Sequence, residues 1–446
     1  MIYFLLPRLS PHYSQYIDYI QTDDKNATIV SNSLSHYLYD IKERINHHQQ
    51  DWDIYKKITN PYEYIHTQIH QRKKCIANYK PLSRSFFKMI ELSLFFKKIV
   101  ECDQPIKTFH LAEGPGGFIE AIVHLRSANS QQKSDSYTGM TILSDEMDPN
   151  IPAWKKSAYF LKENPNVSIE TGQDGTGNII SLENFRFCAK KYGSSMDIIT
   201  GDGGFDFSVD FNNQEHNISQ LLFSQIAYAL VMQKQGGTFI LKIFDSFMQH
   251  TVDLLAILAC FYEQVYITKP QTSRYANSEK YVVCTGFIHT SGFIHTTGFI
   301  GSDHTTGNIG SSQFTALFQA FEKMCLQNDK ESQIEYLPPG LTKSLSYKYI
   351  NMPIPHLFIT KVAEYNSIFG QQQIENIHYT LSLIENRFKA DKVDSLVKVN
   401  IQKCIQWCSK HNIPYNNIPT NTNIFLSDAS FSDTSTDVRR QSAFIR

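Results

Sequence analysis

The sequence predicts an α/β fold, a mostly parallel sheet with helices on both faces, accompanied by helical flanking segments. Three observations predict it. Short apolar runs, FHLA (109–112), MTIL (140–143), MDIIT (196–200), TFILKIF (238–244), VYIT (265–268) and YVVC (281–284), alternate with stretches of helical spacing, and strands separated by helices imply a covered parallel sheet. A glycine turn, GPGGF at 114–118, joins the first run to an amphipathic stretch with apolar positions at Phe118, Ile122 and Leu125, which reads as strand, turn, helix. The chain has 446 residues, 41% hydrophobic and 19% charged, enough to bury a sizeable core.

In chain order, residues 1–80 are polar and aromatic, with helical patterning from Leu34 to Tyr55, and read as a helical or irregular lead-in. Residues 81–312 carry the strand–helix alternation, and a ligand should then lie at the carboxyl ends of the strands. The turn Gly114-Pro115-Gly116-Gly117 stands at such an end. Its backbone can approach a ligand closely, and the following helix offers partial positive charge. Its spacing fits neither the nucleotide loop nor the dinucleotide fingerprint, so a phosphate cradle and a simple tight connection are both open at this point. The segment Thr285–Gly310 holds a near-repeat of six residues, read as an expanded loop over 286–310. Its His289, His295 and His304 lack a supporting set of carboxylates or cysteines, so no metal site is expected. Within 313–419, Gln313–Gln327 and Gln373–Trp407 read as helices, with PPGLTKSLSYKYINMPIP as irregular chain between them, and 420–446 reads as a flexible tail.

Lys+Arg 42 against Asp+Glu 43 leaves a net charge of −1, so any nucleic-acid surface must be a local patch. Eight cysteines are scattered without the two-residue gap of a zinc knuckle, which fits reduced thiols in an intracellular protein. The opening MIYFLLPRLSPHY is interrupted by Pro7, Arg8 and Pro11. It is too short for a signal peptide or a membrane span, and no membrane association is expected.

Four ionisable residues stand where such a sheet would gather them. Lys88 lies in SRSFFKMIEL, a helix entering the sheet; Asp202 follows MDIIT; Lys242 interrupts TFILKIF; Glu279 lies in SRYANSEKYVVC, just before the last strand. A surface lysine is ordinarily a solvated charge. Lys242 is different, because it is flanked by Phe239, Ile240, Leu241, Ile243 and Phe244, and an uncompensated charge there is costly.

The ordered set GPGGF, DGGFDFS, GGTFILKIFDSF and KPQTSRYANSEKYVVC, from about Ser83 to Phe287, resembles the FtsJ-type RNA 2′-O-methyltransferases. It is most similar to the mRNA cap-specific enzymes of eukaryotes and large DNA viruses, and GQDGTGNIISLENF also fits. The resemblance implies a Rossmann-like, S-adenosylmethionine-dependent methyltransferase domain over 81–312. It implies a Lys-Asp-Lys-Glu tetrad at Lys88, Asp202, Lys242 and Glu279, with Lys242 as the base or proton acceptor. It further implies cofactor binding by Gly114, Pro115, Gly116, Gly117, Phe118, Asp174, Gly175 and Asp202, with Asp174 accepting from the adenine amino group and Asp145 or Glu146 meeting the ribose hydroxyls. His110 and Asn178 stand where relatives often carry acids.

The implied activity is methyl transfer to the ribose 2′-hydroxyl of the first transcribed nucleotide of capped mRNA. A methyltransferase of ribosomal or transfer RNA and a non-catalytic RNA-binding protein are the alternatives. Capped mRNA is the implied partner, with RNA polymerase or other capping enzymes beside it, in the cytoplasm, the nucleus or, for a viral chain, the virion or host cytoplasm. Arg84, Arg274, Asn277 and Ser278 are the candidate RNA contacts, Arg274 through bidentate phosphate binding. Tyr62, Tyr64 and Tyr79, interleaved with Arg72, Lys73, Lys74 and Lys80, are candidates for stacking a cap guanine, although a plain amphipathic helix explains them equally well.

Overall fold

A computed structural model describes residues 2–22, 30–69, 74–97, 101–127, 134–143, 153–204, 212–288, 314–332, 346–386 and 390–416. Its strands are β1 (Tyr3–Leu5), β2 (Ile17–Thr22), β3 (Lys107–Leu111), β4 (Ser136–Met140), β5 (Val167–Glu170), β6 (Met196–Gly201), β7 (Gln233–Ile243), β8 (Tyr262–Thr268), β9 (Lys280–Phe287) and β10 (Ser346–Ile350). Eight of them form one sheet in the order β1-β8-β9-β7-β6-β3-β4-β5. The pairings β3–β4, β4–β5, β3–β6 and β6–β7 are parallel, whereas β9 runs antiparallel to both β7 and β8. This is the mostly parallel, helix-covered sheet that the sequence predicts.

The two-residue alternation of strand side chains divides the core. Phe239, Leu241 and Ile243 of β7 and Ile199 of β6 face one apolar cluster, with the helices Ser219–Met232 and Gln249–Phe261. Ile240 and Ile198 face the other, with Tyr281 and Val283 of β9 and the helices Ser85–Phe95 and Gly117–Arg126. By the same alternation Lys242 shares the face of Ile240, so the strand aims this charge at the helix that carries Lys88.

Several elements differ from expectation. The run MTIL contributes only Met140 to a strand, since β4 lies earlier, over SYTGM. β5, VSIE, is short and exposed at its two central positions, and it has no apolar run to announce it. The chain expected to be irregular before Pro355 holds β10, which pairs antiparallel with β2. The single helix expected from Gln373 to Trp407 is two, His356–Glu385 and Ala390–Lys410. The opening residues, read as lead-in, supply β1, antiparallel to β8 at the sheet edge. Among the described residues no helix is long and apolar enough to cross a membrane, and no metal-binding cluster of His, Cys, Asp and Glu is found. Asp145, Glu146, Arg72, Lys73, the repeat histidines and the 420–446 tail lie outside the described residues.

Candidate active site

Strand register brings the ionisable residues together. Gly201 of β6 pairs with Leu241 of β7, so Asp202 and Lys242, one residue further on each parallel strand, become neighbours. Because β9 runs the other way, its start lies at this same edge: Lys242 pairs with Tyr281 and Ile243 with Lys280. That puts Glu279, the residue before β9, at the carboxyl ends of the parallel strands.

The result is two ion pairs. Lys88 Nζ lies 2.6 Å from Glu279 Oε1 and donates to Oε2 at 2.8 Å. Lys242 Nζ lies 3.1 Å from Asp202 Oδ1 and donates to the Asp202 carbonyl at 2.7 Å. Ser273 Oγ donates to Glu279 Oε1 at 2.8 Å. Burial pushes the Lys88 ammonium below its ordinary value, with Glu279 opposing. Burial would raise the Glu279 carboxyl, but Lys88, Lys242 and Arg84 together hold it well below the usual range. The two pairs thus act on one another as a single electrostatic unit.

The glycine turn lies beside this unit. Gly116 has φ +102° and caps the helix Gly117–Arg126, a conformation that glycine adopts without strain. A Cβ at Gly114 would fall 2.4 Å from the Ala153 carbonyl oxygen, so only glycine fits that close approach. Two residues before Pro115, Glu113 turns its carboxylate onto the same helix start and accepts from the Phe118 N–H. Phe118 itself is fully buried, with its ring in the core.

The sequence reading missed Glu113. Among the described residues its Oε2 is buried without a hydrogen bond; His110 Nδ1 lies 3.2 Å from it and is paired with Thr200 Oγ1 at 2.8 Å. Burial, with Asp202 nearby, raises the Glu113 carboxyl well above its ordinary value. The signal was its position, an acid within a strand-to-helix turn and three residues after His110.

Asp174 is exposed, in the loop after β5, and its Oδ1 accepts from Thr176 N (2.8 Å), Thr176 Oγ1 (2.7 Å) and Asn184 Nδ2 (2.8 Å). Gly175 beside it has φ +77° and open space around its Cα. Asn178 stabilises the same loop, accepting from the Ile180 N–H at 3.0 Å.

The candidate RNA contacts divide. Arg84 is half-buried at the start of the helix that carries Lys88, where its charge acts on Glu279. Asn277 is exposed on the loop before β9. Arg274, expected to face a phosphate, is instead clamped by Glu63, with Nε to Oε2 at 2.9 Å and Nη2 to Oε1 at 2.6 Å. Ser278 is buried and bonded to Asp245 Oδ2 at 2.9 Å, turned away from solvent. Tyr64 is core, and Tyr79 stacks on Phe86 at 4.9 Å while donating to Glu120 at 2.9 Å. These two rings are therefore not free to stack on a base.

Comparison with known proteins agrees with this architecture. Residues 81–287 match the family model of FtsJ-like methyltransferases. The chain is 32% identical over 199 residues to the cap-specific mRNA (nucleoside-2′-O-)-methyltransferase 2 of Danio rerio, covering 41% of this chain and 25% of that protein. It is 38% identical over 119 residues to the cap-specific mRNA (nucleoside-2′-O-)-methyltransferase 1 of Trypanosoma brucei brucei, covering 26% and 32%. The corresponding protein of Trypanosoma cruzi is 33% identical over 179 residues, covering 39% and 46%. The chain thus spans less than half the length of these curated relatives.

Proposed function

We propose, from the match of residues 81–287 to the FtsJ-like methyltransferase family model, that the chain methylates the ribose 2′-hydroxyl of the first transcribed nucleotide of capped mRNA, using S-adenosylmethionine. The observation that carries this reading is the coupled set Lys88–Glu279 and Lys242–Asp202 at the strand edge beside the glycine turn. When bound, S-adenosylmethionine supplies an electrophilic methyl group on a sulfonium.

The residues present fit such a ligand. The turn from Gly114 to Gly117 offers backbone at close approach, Asp174 lies in a loop suited to the adenine amine, and the hydrogen-bond-free Glu113 Oε2 together with Asp202 suits the cationic methionyl end. A ribose hydroxyl is a poor nucleophile, so a positioned base must take its proton as the oxygen attacks. Lys242 Nζ is that acceptor once it has given its own proton to solvent, since only the neutral amine has a lone pair for the hydroxyl proton. Asp202 holds its head by carboxylate and carbonyl, and Lys88, fixed by Glu279, orients the hydroxyl. The chain contributes alignment and field rather than covalent chemistry.

Arg84, Asn277, Tyr62, Lys74 and Lys80 are the exposed or half-exposed candidates left to meet RNA. The reading implies capped mRNA as substrate, RNA polymerase or other capping enzymes as partners, and a nuclear or cytoplasmic site of capping. Transfer from labelled cofactor to capped, uncapped and ribosomal RNA tests it. Label should appear on the first nucleotide of capped RNA, binding should weaken with salt, and uncapped RNA should be much poorer. Equal labelling of both, or label at internal positions, would assign the enzyme to ribosomal or transfer RNA. No transfer to any RNA would leave a non-catalytic protein.

A further inference from the structure

The loop that delivers Glu279 is held from outside the matched domain. The helix Asn32–Asn46 buries Leu38, Ile41, Lys42 and Ile45, the spacing of an apolar stripe, and a lysine there must find partners. Lys42 Nζ donates to Asp245 Oδ2 at 2.8 Å and to Ser278 Oγ at 3.1 Å. Ser278 is the residue immediately before Glu279, and its hydroxyl donates in turn to Asp245 Oδ2 at 2.9 Å. Lys280, immediately after Glu279, lies 3.4 Å from Asp245 Oδ1 and donates to the Ser278 carbonyl at 3.0 Å.

From the other flank, Gln373 of the helix His356–Glu385 donates to the Ala276 carbonyl at 3.1 Å and to Ser278 Oγ at 3.3 Å. Lys42, Asp245, Ser278, Lys280 and Gln373 are all buried. The two flanking helices meet over Phe247 in an apolar cluster of their own, with Ala276 packed against it.

We infer that Lys42, with Gln373, is a positioning residue for Glu279: the flanks form a clasp that fixes Ser278 and thereby sets the carboxylate that holds Lys88. Lys42 touches no member of the tetrad, and of the residues expected to meet RNA it touches only Ser278, which is buried. Its effect passes through the backbone on either side of Glu279. Between the matched domain and its flanks the coupling is polar and directional, which apolar packing alone would not give. The clasp explains why a residue at the mouth of an open loop is held tightly enough to fix Lys88. The inference rests on the proposed function only for its catalytic consequence.

Two measurements test it in the full chain. Hydrogen exchange needs no activity: Lys42→Met should speed exchange across 274–281 by about tenfold or more while the amides of β3 and β6 are unchanged. Unchanged exchange in that segment would overturn the clasp. Should Lys42→Met fail to fold, Gln373→Ala removes only a neutral donor and should loosen the same segment; if it does not, the clasp is refuted.

The second measurement is a cycle with Glu279→Gln. Lys42→Met should lower kcat for methyl transfer by about tenfold, leave calorimetric cofactor affinity unchanged, and add little further loss in the Glu279→Gln background. Multiplicative losses would mean that Lys42 acts by general stability rather than through Glu279. A wild-type chain that transfers no methyl group would defeat the proposed function while exchange still decides the clasp.

Discussion

Lys242 stands on the strand face that turns toward Lys88, and its ammonium is anchored to Asp202 rather than to the glycine turn. Lys242→Ala should therefore abolish methyl transfer while calorimetric affinity for S-adenosylmethionine stays within a few-fold; loss of cofactor binding with turnover intact per bound complex would reverse the assignment. His110 makes a separate prediction. Burial pushes its imidazole down to about 3, and Thr108 and Thr200 hydroxyls occupy both ring nitrogens at 2.8 Å. As pH falls below the unfolded value near 6.5, the unfolded chain takes up a proton that the folded ring refuses, so this group's contribution to stability is lost from there down toward pH 3.

Relative to His110→Gln, the wild type should lose up to about 1.4 kcal/mol per pH unit over that window. Glu113, whose raised carboxyl has the opposite sign, lies 3.2 Å from His110 Nδ1, so the same comparison in a Glu113→Gln background isolates the ring. Melting curves at about pH 7.5 and about pH 5 measure it, and a pH-independent difference would show that the ring charges in the fold. At this scale the four ionisable residues could be singled out because each sits in a distinctive local motif, with Lys242 marked as a charge inside an apolar strand, and the structure brings them together as two ion pairs. Glu63 was not legible as the partner of Arg274, since the pair is 211 residues apart and neither side carries a mark of the other.

The loop between β8 and β9 shows how one element can mislead when read alone. Arg274 in SRYANSE looks like a phosphate reader, yet it bridges this loop to the turn at Glu63–Ile65 by a bidentate pair. Glu63 is fully buried, and although burial opposes ionisation, Arg274 holds its carboxyl well below the usual range. Arg274→Ala leaves that charge without its main partner and should cost about 3–5 kcal/mol. Replacing both, Glu63→Leu with Arg274→Met, should recover most of the stability. Chemical denaturation of the three variants decides it: an Arg274→Ala protein as stable as wild type, but weakened for RNA, would restore the phosphate-binding role.

The same limit explains the missed strands. β10 and β2 lie more than 300 residues apart and stabilise each other by pairing, while β5 is four residues at a sheet edge, with only Val167 and Glu170 buried. Periodicity reports burial against near neighbours, and these strands owe their existence to distant ones.

Across the whole molecule, the matched domain does not own its core. β1 completes the sheet edge beside β8, and Leu6 and Leu9 follow it into the larger apolar cluster. Tyr349, Ile350, Phe358 and Tyr365, all beyond residue 287, are fully buried in that same cluster. On the opposite face Trp407 packs against Phe87 at 5.9 Å and donates to Glu91 at 3.3 Å, covering the helix that carries Lys88. Cutting the chain to 81–287 would return these contact surfaces to water at roughly 25 cal/mol per Å². It would also take the Trp407 donor from Glu91, which keeps those of Gln271 and Thr272, and leave Asp245 without Lys42.

A net stability of only about 5–15 kcal/mol is small against such a loss. The 81–287 fragment should therefore aggregate or bind an apolar dye and melt without a cooperative transition, while the intact chain melts cooperatively. Restoring both flanks in trans, 1–80 and 313–446 as separate chains, should raise solubility more than either alone, because the two meet each other as well as the domain. A fragment that is monomeric and unfolds cooperatively within a few degrees of the full chain would show that the flanks are appended to a self-sufficient domain, and would confine their role to substrate or partner.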